Sequence, residues 1–196
     1  KLFTFLFALA AFNLSTHAEL KFHETFSRNI GTLNIGQSDA SANNTNDWYS
    51  FSGSSNYIQV VEGSLSYAGY VTTGTGNKAE LVGNGADDLR QFTPINSGKV
   101  YAAAIINVDS LKKSTTTDYF MALGNASNNI MYARLNIQSV KTGDAFTGFK
   151  LGIAKNGETV VFADAVLSPK TNYLVVLEYE FVAGTTANDV VRLYID

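Results

Sequence analysis

Residues 173–181 read Tyr-Leu-Val-Val-Leu-Glu-Tyr-Glu-Phe, and they restrict the fold more tightly than any other stretch. Successive side chains of a strand point to opposite faces. Tyr173, Val175, Leu177, Tyr179 and Phe181 therefore share one face. Leu174, Val176, Glu178 and Glu180 share the other, which turns polar toward its end. Residues 189–195 alternate in the same way, with Val191, Leu193 and Ile195 on one side and Arg192 and Tyr194 on the other. The connecting Val-Ala-Gly-Thr-Thr-Ala-Asn at 182–188 reads as a hairpin loop. A slip of one residue would turn a whole apolar set to water, so the register is well specified. A loop centred on Thr185 puts Arg192 opposite Glu178, and one centred on Thr186 puts it opposite Glu180. Either register predicts a cross-strand ion pair.

The same period recurs along the chain, and helical periodicity is nearly absent after residue 18. Met131, Ala133, Leu135 and Ile137 alternate with Tyr132, Arg134 and Asn136. Phe149, Leu151 and Ile153 alternate with Lys150, Gly152 and Ala154, and Asn156-Gly157 then turns the chain into 159–162. Residues 100–108 are apolar almost throughout, as for a strand buried on both faces. Shorter candidates are 21–26, 48–51, 57–62, 80–82, 89–92 and 119–123. Residues 36–47 and 72–77 read as loops by composition. Pro94 and Pro169 fall between strand candidates, where a missing N–H does no harm. About twelve strands punctuated by Gly, Asn, Ser, Thr and Asp predict an all-β fold, a single two-sheet antiparallel β-sandwich.

Residues 1–18 are of a different kind. One cation precedes an apolar run that ends in Thr16-His17-Ala18, the layout of a secretory signal peptide cut before Glu19. The run is shorter than the roughly 20 residues that span a bilayer, and no later segment supplies an anchor. The expected product is a soluble β-sandwich domain, 19–196, secreted or held at the cell surface with no membrane insertion after cleavage. A domain this size buries about 70% of its unfolded surface. With no cysteine, it rests on that core alone. Lys1 stands where an initiator Met would, and 190–196 reads as a strand still running at Asp196, so a fragment of a longer protein is expected. The chain carries 14 basic and 17 acidic residues, net −3, and its only basic pair is Lys112-Lys113. A nucleic-acid partner is not expected from such a surface.

Several stretches occur in a familiar order: Phe22-His-Glu-Thr-Phe26, Trp48, Gly63-Ser-Leu-Ser-Tyr-Ala-Gly-Tyr70 and Gly76-Asn-Lys-Ala-Glu-Leu81. Ser97-Gly-Lys-Val-Tyr101, Asp118-Tyr-Phe120, Asn172-Tyr-Leu174 and Asp189-Val-Val-Arg-Leu-Tyr194 follow. Together they resemble a module near the N-terminus of exported Bacteroidetes proteins, many of them type IX secretion substrates. The resemblance covers nearly all of 19–196. It implies a concanavalin-like (laminin-G-like) jelly roll, and it assigns no activity, because such modules precede many unrelated partners.

The residues that carry chemistry are few. Glu178 and Glu180 point the same way about 7 Å apart along the strand, near the spacing of retaining glycosidases. Some jelly-roll glycanases carry Glu-x-Asp-x-x-Glu on one strand, and here Tyr179 intervenes and no Asp lies between, so no catalytic residue is assigned. His23 is the only histidine after the leader and has no nucleophile elbow to serve. Asp39, Asn43, Asn44, Asn46 and Asp47 in one loop, and Asn84, Asp87 and Asp88 in another, supply oxygens of the kind Ca²⁺ takes. Neither has the spacing of a known calcium loop, and turn chemistry explains both. No other cofactor is expected. Trp48, Tyr67, Tyr70, Tyr132 and Tyr194 are candidates for stacking on sugar rings. Tyr132, Arg134 and Asn136 make the best glycan-binding face, combining a plate, a donor fork and an amide on one strand side. The reading is a non-catalytic exported module that binds glycan or adheres to a surface, with polysaccharide as partner. The alternatives are a glycan-cleaving enzyme of the same fold and a structural spacer for a downstream catalytic domain.

Overall fold

The computed structural model describes residues 18–21, 23–34, 47–70, 74–125 and 130–196. The leader expected at 1–18, apart from Ala18, lies outside these residues, as do Phe22 and the loop residues Asp39, Asn43, Asn44 and Asn46. Among the described residues there are twelve strands and one 3₁₀ turn, Thr186–Asn188. The strands are β1 Gly31–Thr32, β2 Tyr49–Ser52, β3 Gln59–Val61, β4 Lys78–Glu80, β5 Asp87–Leu89 and β6 Gly98–Asn107. They continue as β7 Asp118–Asn125, β8 Ile130–Thr142, β9 Ala145–Lys155, β10 Val161–Phe162, β11 Asn172–Phe181 and β12 Val190–Ile195. Every pairing is antiparallel. No helix among the described residues is long and apolar enough to cross a membrane.

Two sheets share the core, as in a β-sandwich. One has the order β10-β9-β8-β7, the other β12-β11-β6. Ala133 and Leu135 of β8, Phe149 and Leu151 of β9, and Val175, Leu177 and Tyr179 of β11 form one buried cluster with Leu167. Fully burying a Leu or Phe side chain is worth about 1.5–3 kcal/mol, so this seam dominates the stability. Two smaller sheets, β1-β3-β4 and β2-β5, come from the N-terminal part of the chain.

The final hairpin has the expected register. Val175 lies opposite Ile195, Leu177 opposite Leu193 and Tyr179 opposite Val191, all in or against the core. Glu178 faces Arg192, so the loop is centred on Thr185. Asn156-Gly157 also turns as expected, with Gly157 at φ +80°.

Other expectations give way to tertiary context. β6 is an edge strand with one covered face, not a strand buried on both: Lys99, Tyr101 and Ala103 are exposed. Residues 21 and 23–26 form no strand, and Glu24 pairs instead with Arg28 four residues on and with Arg90 far along the chain. β4 and β5 each begin two residues earlier than expected, on either side of a turn where Asn84 sits at φ +59°. β8 and β9 run longer than expected and meet at a Gly143-Asp144 turn, with Gly143 at φ +60°.

The β11–β12 loop is locked from inside. The Tyr179 hydroxyl donates to Asp189 Oδ2 at 2.5 Å, and Val182 N–H donates to Asp189 Oδ1 at 2.8 Å. Lys155 Nζ donates to the carbonyls of Ala187 and Asp189. Asp189 is buried, so these donors replace its water. Burial and the bond to Asp189 push the Tyr179 phenol well above its ordinary range. Tyr179→Phe leaves a buried carboxylate oxygen short of a donor. The expected cost is about 1–3 kcal/mol in urea unfolding at neutral pH, with the secondary structure unchanged by circular dichroism.

Candidate functional site

The outer face of the β12-β11-β6 sheet carries a dense cluster of charged side chains. Alternation turns Lys99, Tyr101, Ala103 and Ile105 of β6 outward. Glu180, Glu178, Val176 and Leu174 of β11 lie opposite them, in that order. β12 adds Val190, Arg192 and Tyr194 opposite Glu180, Glu178 and Val176. Tyr101 and Tyr194 are 52% and 49% exposed, yet Glu178 between them is only 2% exposed. It is covered by side chains that themselves touch water.

Glu178 is held by three donors. Arg192 Nη1 donates to its Oε1 at 2.6 Å, Lys99 Nζ lies 3.0 Å from the same oxygen, and the Tyr194 hydroxyl donates to Oε2 at 2.9 Å. The same Arg192 Nη1 donates to Glu180 Oε2 at 2.5 Å, and Lys99 lies 3.6 Å from that atom. A buried carboxylate is tolerated only when its lone pairs are satisfied and its charge is matched. Burial pushes the Glu178 carboxyl up, but the bonds from Lys99, Tyr194 and Arg192 outweigh it and hold the group below the ordinary glutamate value. The bond from Arg192 holds Glu180 low as well. The partners move the other way: Arg192, Lys99 and Tyr194 are all raised, chiefly by their bonds to these carboxylates. The face thus presents two ionised carboxylates, two fixed cations and two phenol rings, one of them oriented by its own hydroxyl.

A loop bounds this face. Asn172 Nδ2 donates to the Ser66 carbonyl at 2.9 Å. Tyr67 bonds to Asp196, and burial with that bond raises its phenol. The rows of Asn172 and Leu174 are therefore flanked by residues 66–67, and among the described residues the rows from Val176 to Glu180 stay open.

The strand face expected from Tyr132, Arg134 and Asn136 is divided. The β7–β8 register shifts between Leu123 and Gly124, which face Ala133 and Met131, so Tyr132 has no partner on β7. A bulge of this kind re-aims a side chain. The Tyr132 ring packs on Tyr179, centroids 5.9 Å apart, against the core rather than outward. Asn136 is 3% exposed and donates to the Arg134 carbonyl. Arg134 is half-buried, with Nε lacking a hydrogen-bond partner.

The expected oxygen donors are scattered. Asp47 pairs with Arg28 and accepts from Trp48 N–H. Asp87 accepts from the Tyr119 hydroxyl at 2.8 Å, and burial with that bond pushes the phenol up to about 12. Asp88 accepts from Asn34 Nδ2 at 2.5 Å, with burial raising its carboxyl. Asn84 sits in a turn, its carbonyl accepting from Asn56. Among the described residues no three His, Cys, Asp or Glu converge as a metal site. His23 is exposed. Trp48 stacks on Phe26 at 6.2 Å and donates Nε1–H to Glu24, and Tyr70 N–H bonds to the Tyr67 carbonyl.

Of the aromatic candidates, Tyr194 therefore stands on the open face. Sequence reasoning missed Lys99 and Tyr101, although the alternation Lys99-x-Tyr101-x-Ala103 was there to read. No family model matches this sequence, and no curated protein and no solved structure matches it either.

Because the folded values of Glu178 and Glu180 are depressed, their stabilisation is complete above the ordinary value of 4.5 and is lost as the pH falls through the folded values. Glu178→Gln is expected to be less stable than the parent at neutral pH, with the gap shrinking below pH 4.5. Thermal unfolding of both proteins across the acid range measures this.

Proposed function

We propose that this chain is an exported, non-catalytic module that binds glycan at a polysaccharide or cell surface, and that its sandwich is a jelly roll of the concanavalin type. The sequence resemblance supports the export and the jelly roll. One observation carries the binding role: two half-exposed tyrosines flank a carboxylate–cation cluster on an open sheet face. Sugars present apolar C–H faces that stack on such rings and hydroxyls that bond to fixed polar groups.

A glycan-cleaving enzyme is the competing reading, because both carboxylates reach one Arg192 nitrogen and so lie close together. Glycoside cleavage needs one carboxylic acid that keeps its proton, with a raised value. Both glutamates are pushed the other way. This favours binding over turnover.

The test is a glycan array on the parent protein, Tyr101→Ala and Tyr194→Ala, with folding checked by circular dichroism. The parent is expected to bind at least one glycan class, and each substitution to weaken it about tenfold or more. No binding by the parent, or binding unchanged in both variants, would contradict the proposal. So would glycan turnover that Glu178→Gln abolishes.

A further inference from the structure

We infer that the outer face takes an uncharged, linear oligosaccharide of more than one ring, laid diagonally across the strands from Tyr101 to Tyr194. This rests on the binding role above and adds the ligand's charge and length.

Charge comes first. The open rows carry Lys99 and Arg192 against Glu178 and Glu180, two cations and two anions in direct contact. These four charges sum to zero, so neither a uronic or sulfated chain nor an amino-sugar chain gains a net attraction from the cluster. A neutral polyhydroxyl ligand needs no such attraction. Arg192 uses only Nη1 on the carboxylates, and both it and Lys99 are partly exposed. Their remaining N–H groups can donate to ring and hydroxyl oxygens without breaking the ion pairs. The Tyr194 phenol already donates to Glu178, so its ring is held before ligand arrives. That preorganisation lowers the ordering cost of binding.

Length follows from the register. Tyr101 lies opposite Glu178, and Tyr194 lies opposite Val176 on the far side of β11. Neighbouring strands are about 4.8 Å apart and rise about 3.4 Å per residue, which sets the two Cα atoms roughly 12 Å apart. One pyranose ring does not cover both tyrosines, and a short chain does. The residues flanking the Leu174 row, Ser66 and Tyr67, keep the ligand on the open rows.

Calorimetry tests this with the whole chain, using glucose, cellobiose, cellotetraose and cellohexaose, the matching xylan series, oligogalacturonate and chitosan oligomers, each at low and high salt. The expected result is no measurable monosaccharide binding and a rise of about tenfold or more from disaccharide to tetrasaccharide. The rise should vanish in Tyr101→Ala, and affinity should change less than about twofold with salt. Tighter, salt-sensitive binding of the galacturonate or chitosan series would overturn the charge inference and leave the glycan role standing. Full affinity for a monosaccharide would overturn the length inference alone. No binding by any oligomer, together with a blank array, would remove the glycan role and this inference with it.

Discussion

A carboxylate buried in a sheet face must bring its counter-charges with it, and Glu178 organises its sheet on that condition. Arg192 reaches it from β12, Lys99 from β6, and Tyr194 closes its second oxygen. All three strands of the sheet are therefore stitched at one atom group. The opposite face of the same strand supplies Val175, Leu177 and Tyr179 to the core. β11 thus satisfies two unlike demands, and period two separates them. A slip of one residue would bury Glu180 and expose Leu177, so the apolar seam and the ion cluster enforce the same register. The Tyr179–Asp189 bond anchors the loop that joins the two strands.

Among the described residues, the N-terminal part buries few apolar side chains, Leu33, Val60 and Ala86, and is held by polar links at a distance. Glu24 accepts from Trp48 and pairs with Arg28 and Arg90, and Arg28 reaches Asp47. Burial pushes Glu24 up, and the bonds from Trp48 and Phe26 with the two arginine charges bring it below the ordinary value. Phe26 sits at φ +50°, a costly backbone state for a bulky residue, and its N–H bond to Glu24 and its stack on Trp48 hold it there. Tyr119 on β7 reaches Asp87 on β5, tying the small β2-β5 sheet to an edge strand of the sandwich.

What could be read from sequence follows from which interactions are local. The β11–β12 hairpin was legible because strand period, loop length and cross-strand charge all lie within 173–195. Residues 21–26 were not, because Glu24 answers to Arg90, 66 positions away. The run Val-Tyr-Ala-Ala-Ala-Ile-Ile of β6 looks uniformly apolar, and that masks the alternation that turns Lys99 and Tyr101 outward on an edge strand. Tyr132 was placed outward by strict alternation, and a bulge set by the pairing of β7 turned it to Tyr179. The binding residues favoured from sequence and those favoured by the structure therefore lie on different sheets, and Tyr194 is the aromatic common to both.

The central claim is that Glu178 is an ionised, ion-paired centre of a binding face rather than a proton donor. The direct measurement is a carboxyl-carbon NMR titration of the glutamates in the full chain, with Glu178→Gln assigning the resonance. The account predicts a Glu178 midpoint below the ordinary value of 4.5. A midpoint above that value, with the carboxyl still protonated as neutrality is approached, would contradict it and restore the catalytic reading.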